Sequence, residues 1–302
     1  MDWSNLKFFT THQHEVPLPE GHRFPMDKYR LLYEKLIRDS VLTPDQIFPG
    51  PPAEIHDLLL AHDERYVFGM RDGTLPASEL RPIGLPWSPE LFQRSLSAVG
   101  GFVAASENAI SDGFSAVLAG GTHHAHEGRG EGYCIFNDFA VAALKLLSAK
   151  RVKKILIIDL DVHQGNGNSS IMGQRDDVFI LSLHGERNYP FRKEKSHLDV
   201  PLPEGTSDEK YLSALSDALK ILPDADMIFY QAGVDVLKED KLGTFAMTFE
   251  GIKSRDRMVF EFARKRNAPL AMAIGGGYAQ PIELTVEAYA NTFSEAKKNY
   301  GR

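Results

Sequence analysis

Cysteine is nearly missing from this chain. Cys134 stands alone among 302 residues, so no internal disulfide can brace the fold, and a reducing compartment is expected. Long apolar runs are missing too. No stretch approaches the roughly 18 apolar residues of a bilayer span, and Met1-Asp2-Trp3-Ser4-Asn5-Leu6-Lys7 carries an early acid with no apolar segment behind it. The expected setting is cytoplasmic, with no membrane partner. Positive charge is in deficit: 34 Lys and Arg against 41 Asp and Glu leave a net −7, which disfavours nucleic acid as a partner. The densest basic stretches, residues 150–154 and 264–266, read as solvated helix ends. There is no fixed-period repeat, low-complexity tract or Ser/Gly-rich linker. One domain over residues 1–302 is therefore expected, a length that α/β folds accommodate.

From the middle onward, short apolar β-branched runs alternate with helical patterns, as successive βαβ units do. Strands are expected at 114–119, 155–160, 178–183, 227–231 and 270–274. Each is nearly continuous in apolar residues, as parallel strands covered on both faces should be. Helices are expected at 26–38, 89–110, 138–147, 208–222, 249–266 and 282–297. Together they predict an α/β fold, a three-layer, open, mostly parallel β-sheet with helices on both faces. Residues 1–85, rich in proline turns at 17–19 and 49–52, read as a loop-rich layer over one end of the sheet that shapes a pocket rim.

Ligands of such sheets bind beyond the carboxyl ends of the strands, and five expected strands end in chemistry-bearing loops. These are Gly120-Gly121-Thr122-His123-His124, Asp159-Leu160-Asp161-Val162-His163, His184-Gly185, Ala232-Gly233-Val234-Asp235 and Gly275-Gly276-Gly277-Tyr278. In a strand, residues two apart share a face, so Asp159, Asp161 and His163 should project together. Three ionisable groups on one buried face are costly unless paired or bound to a cation. Asp161 as a mere helix cap is the plain alternative. Asp235, in a small-residue turn at the same rim, is the best third ligand for an open zinc site, and a cap is again the alternative.

His123 and His124 could supply acid and base beside a metal, with Asp159 and Asn166 as ring N–H acceptors, or they could be ordinary loop histidines. If His123 pairs with Asp159 and His124 with Asn166, the two rings should differ in pKa. Tyr278 could donate to an oxyanion, or pack at a strand end. The triple glycine lacks the Lys-Ser/Thr of a phosphate loop, and that reading is rejected. Cys134 reads as a small buried apolar group. Asp57, His62 and His12-Gln13-His14 carry no strong expectation.

The ordered set His123-His124-Ala125, Gly132-Tyr133-Cys134-x-x-Asn137-Asp138, Asp159-x-Asp161-x-His163-x-Gly165-x-Gly167, Ser182-Leu183-His184, Ala232-Gly233-x-Asp235 and Gly275-Gly276-Gly277-Tyr278 resembles the histone deacetylase superfamily, which includes acetylpolyamine amidohydrolases. The segments at 14–26 and 83–88 resemble the compact class IV type and its bacterial relatives. The resemblance implies an arginase/deacetylase-like fold with an eight-stranded parallel sheet. It implies a Zn²⁺ held by Asp161, His163 and Asp235, a metal-activated water, His124 as general base and then acid, His123 as an electrostatic or acid partner, and Tyr278 as oxyanion donor. Gly132, Tyr133 and Gly276 would line an acyl-lysine tunnel. A structural K⁺ would be held by Asp159, Asp161, His163, Ser182 and the Leu183 carbonyl.

Implied partners are an acylated lysine peptide or protein, or an acylated small amine. The rivals are an acetylpolyamine amidohydrolase, a binuclear Mn²⁺ ureohydrolase and a non-catalytic acyl-lysine reader. The ureohydrolase would need further Asp and His ligands. A reader would have no use for Tyr278.

Overall fold

The computed structural model describes residues 2–301. Eight strands, β1 (Phe8–Thr10), β2 (Ile47–Pro49), β3 (Phe114–Val117), β4 (Ile155–Asp159), β5 (Val178–Gly185), β6 (Leu198–Leu202), β7 (Met227–Gln231) and β8 (Leu270–Ala273), form one sheet. Every pairing is parallel, and the order is β2-β1-β3-β8-β7-β4-β5-β6. This is the open parallel α/β sheet that the strand pattern predicts, with the eight strands that the resemblance implies. Between β3 and β4 the chain jumps across the positions that β8 and β7 later fill, so the direction of winding reverses at the sheet's centre. Crevices at such a reversal are where α/β folds hold ligands.

The helices are α1 (Lys28–Arg38), α2 (Ile55–Leu58), α3 (Glu64–Asp72), α4 (Ala77–Leu80), α5 (Pro89–Asp112), α6 (Asp138–Ser148), α7 (Asn166–Met172), α8 (Asp208–Ile221), α9 (Phe249–Lys265) and α10 (Ile282–Tyr300). Strand alternation sends neighbouring side chains to opposite layers. Phe229 meets Phe102 of α5 and Phe139 of α6, while Tyr230 meets Phe260 of α9. Both faces are thus covered, which is why the central strands have no polar face. Ser88 caps α5 by accepting from Leu91 N, with Pro89 at its first position.

Two expectations need correction. Residues 1–85 are more than a loop layer, because β1 and β2 build one edge of the sheet and β1 pairs with β3. These strands are three residues long and one ends in proline, too short to show a period. The strand expected at 155–160 ends at Asp159, so Asp161 and His163 lie beyond it. They do not meet by strand alternation. Asp159 Oδ1 instead accepts from Asp161 N at 3.2 Å, and Asp161 Oδ1 from His163 N at 3.0 Å. These two successive side-chain turns fold the chain out of the sheet.

Candidate active site

The register aligns the four central strand ends. Asp159 pairs with Gln231, Gln231 with Ala273 and Ala273 with Val117, so the loops after β3, β4, β7 and β8 leave the sheet at one level. They bring Asp161, His163 and Asp235 together, all three buried, with ligand atoms within 4.8 Å of one another. His163 Nδ1 lies 3.0 Å from Asp161 Oδ1 and 3.0 Å from Asp235 Oδ2. Backbone donors orient both carboxylates: Gly276 N reaches Asp161 Oδ2 at 2.7 Å, and Val162 N reaches Asp235 Oδ1 at 2.9 Å. A Cβ on Gly276 would collide with the Asp235 carboxylate, which is why glycine stands there.

The charges around this cluster are unbalanced. Burial, and then the charge of Asp161, push the Asp235 carboxyl up to about 7. Burial opposes a charged His163, yet the two carboxylates outweigh it and raise the ring to about 10. The set attracts positive charge, and a single imidazole nitrogen facing two carboxylate oxygens is a donor set that fits a divalent ion with a position left open. Among the described residues this is the only His/Cys/Asp/Glu group that could hold a metal.

The histidine pair stands beside it. His123 Nδ1 is 2.8 Å from Asp159 Oδ2, and His124 Nδ1 is 2.7 Å from Asn166 Oδ1. Their environments diverge. Burial disfavours the His123 cation, but Asp159 and Asp161 prevail and hold the ring at about 9. Burial and the neighbouring His123 and His163 drive His124 well below the usual histidine value. The loop is held from behind by Asp138, whose carboxylate accepts from Gly121 N and Thr122 N. His62 holds it too: its Nδ1 faces the His126 carbonyl at 2.9 Å, and its Nε2 accepts from Asn137 N at 2.9 Å.

His123, His124, Asp161 and His163 line a cavity of about 600 Å³ together with Gly132, Tyr133, Gly276 and Tyr278. A Cβ on Gly132 would lie 2.7 Å from the His124 ring, so that wall must be glycine. Tyr133 and Tyr278 have ring centroids 6.0 Å apart. Burial raises the Tyr278 phenol well above its ordinary value, leaving it a protonated donor. Ser182 pairs with Asp159 across β5 and β4, and Leu183 follows it, fully buried.

Sequence reasoning missed several residues of the cavity. Tyr189 sets its ring edge-on to His124 at 5.0 Å. Lys28, 249 positions away in sequence, donates from Nζ to Gly277 O at 3.2 Å and lies 4.6 Å from the Tyr278 ring centroid. Arg94 stacks over Tyr29 at 4.4 Å. None belongs to a motif, and only packing brings them here. Cys134 is buried, with its thiol pushed up by burial, as expected of a packing residue.

The histone deacetylase domain model matches residues 22–293. The chain belongs to the histone deacetylase family. An uncharacterised protein of Picosynechococcus is 42% identical over 288 residues, covering 94% of this chain and 96% of its own. Histone deacetylase 2 of Arabidopsis thaliana is 32% identical over 269 residues, 85% of this chain and 70% of its own. The acetoin utilization protein AcuC of Bacillus subtilis is 27% identical over 303 residues, 92% and 78%. The crystal structure of an HDAC homologue from Aquifex aeolicus superposes with a TM-score of 0.83 at 25% identity, covering 98% of this chain and 84% of that one. Family membership places the chain among hydrolases of the deacetylase kind. No helix among the described residues is long and apolar enough to cross a membrane.

Proposed function

We propose that this chain hydrolyses the N-acyl amide of an acyl-lysine, releasing a carboxylate and a free amine, with Zn²⁺ held by Asp161, His163 and Asp235. The carrying observation is the convergence of those three ligand atoms beside two unlike histidines in one cavity. When bound, the ion supplies Lewis acidity that polarises the acyl carbonyl and brings the pKa of water toward ~7.

The chain's own groups do the rest. His124, neutral at rest, takes the proton of the attacking water and passes it to the departing amine. His123, kept charged by Asp159, stabilises the developing negative charge. The Tyr278 hydroxyl donates to the oxyanion. Gly132 and Tyr133 flank the apolar stem of the lysine, and Gly276 lets the substrate approach the ion. Asp159, Ser182 and the Leu183 carbonyl would hold K⁺. The fit is that Asp159 is a fully buried acid that burial pushes up, so it gains from a further cation. A reducing, cytoplasmic setting suits the one buried thiol.

Protein lysine is favoured over a polyamine by charge. Outside the ligand set, the ionic side chains lining the cavity are Arg23, Lys28, Arg94 and Arg187, with no carboxylate among them, and a polycation would be repelled. The test is turnover of a fluorogenic acetyl-lysine peptide, lost with a chelator and restored by Zn²⁺. Absence of turnover with metal restored refutes the reading.

A further inference from the structure

The turn at residues 131–134 points back at the histidine pair. Cys134 N donates to Glu131 O at 2.9 Å, and Gly132 and Tyr133 between them have φ of 58° and 66°, the paired positive values of a tight hairpin turn. Gly132 N and Tyr133 N are tied to the carbonyls of Pro82 and Ile83 at 3.1 and 2.8 Å. Glu131 is thereby fixed with its side chain only 16% exposed. Its Oε1 accepts from Asn166 Nδ2 at 2.6 Å. Burial alone would raise this acid, but the neighbouring His126 and the Asn166 donor hold it at about 2, so it is ionised at neutral pH.

An ionised carboxylate only accepts hydrogen bonds. The Asn166 atom facing it must be the amide nitrogen, and the atom facing His124 Nδ1 at 2.7 Å must be the oxygen. His124 Nδ1 therefore carries the ring proton, leaving the lone pair on Nε2. We infer that Glu131 is a positioning residue that, through the Asn166 amide, locks His124 in the Nδ1–H tautomer and presents Nε2 as the base. Its kinetic consequence rests on the amide-hydrolase reading, whereas the tautomer does not. The two histidines are thus served differently. His123 meets its carboxylate directly and is held charged. His124 meets an amide, which orients the ring while the negative charge stays one side chain further away.

The test uses the metal-loaded enzyme with Glu131→Gln, Asn166→Asp and the double variant. Glutamine can present either oxygen or nitrogen, so Asn166 loses its fixed orientation, and kcat should fall ~10-fold with KM unchanged, the lower end of effects seen when a ligand-orienting partner is lost. Asn166→Asp alone sets two carboxylates against each other and should also lower kcat. In the double variant the new carboxylate accepts from His124 directly, and the glutamine amide donates to it. Its kcat should return to within ~3-fold of the parent, a rescue that only coupled residues produce. Imidazole ¹⁵N NMR should show Nδ1–H for His124 in the parent and a mixture in Glu131→Gln. An unchanged tautomer in Glu131→Gln, or a double variant no faster than the slower single one, overturns the inference. If no acylated amine is turned over by the parent, the functional reading fails, and the NMR result still decides the tautomer.

Discussion

Acid should loosen the loop that carries the histidine pair through one residue outside the cavity, His62. This ring is 4% exposed and uses both nitrogens, Nδ1 toward the His126 carbonyl and Nε2 as acceptor from Asn137 N. Burial depresses its pKa from 6.5 to about 4. A folded value below the unfolded one means that the unfolded chain binds the proton more readily. The associated stability is complete above about pH 6.5 and is lost as the pH falls toward 4. Between pH 7.5 and 4.5 the loss amounts to roughly 2 to 3 kcal/mol, at ~1.4 kcal/mol for each unit between the two values. His62→Gln keeps an acceptor for Asn137 and a donor for the carbonyl but cannot titrate. Urea unfolding of parent and variant, both in chelator so that metal loss cancels, should show a steeper acid decline in the parent by that amount. Parallel declines would refute the assignment of the acid sensitivity to this ring.

Tyr278→Phe should retain the metal while kcat falls by ~10²-fold, the scale for losing one oxyanion donor; unchanged kcat would remove Tyr278 from the chemistry. Asp235→Asn should lower metal content and turnover together, measured by metal analysis and the peptide assay, and normal values of both would exclude it as a ligand. Acetyl-lysine peptides with acidic flanks should show higher kcat/KM than acetylated polyamines. Arg23→Glu with Arg187→Glu should narrow or reverse that order, and a preference indifferent to the two charges would count against the rim as a selector.

The central strands were legible because burial on both faces leaves continuous apolar runs, so β3, β4, β5, β7 and β8 all lie where such runs stand. Edge strands escape this logic. β6 holds Asp199 and Pro201, residues that an edge position tolerates and a central one would not. The site was legible for a related reason: each loop residue follows directly on its strand, and the winding reversal gathers those ends at one rim. The means of gathering was not. Asp159, Asp161 and His163 meet through side-chain turns, so the spacing of two pointed to a convergence that the fold makes by another geometry. Glu131, Tyr189, Lys28 and Arg94 carried no signal. Tyr189, Lys28 and Arg94 reach the cavity across long sequence separations fixed only by packing, whereas Glu131 stands next to Gly132 and meets Asn166.

The rim also explains how this sheet tolerates so much buried charge. Asp159, Asp161 and Asp235 are each at most 1% exposed, and a buried carboxylate without compensation costs several kcal/mol. Part of that cost is met by backbone N–H groups of Asp161, Val162, His163 and Gly276. Asp159 gains a charged His123 as well. What remains is the corner where two carboxylate oxygens share one imidazole nitrogen. A single proton on that nitrogen can lie along only one of the two 3.0 Å contacts at a time, whereas a divalent cation between the three atoms would satisfy all of them at once. The geometry therefore suits a dication, and the apolar layers on both faces of β4 and β7 hold the corner in place.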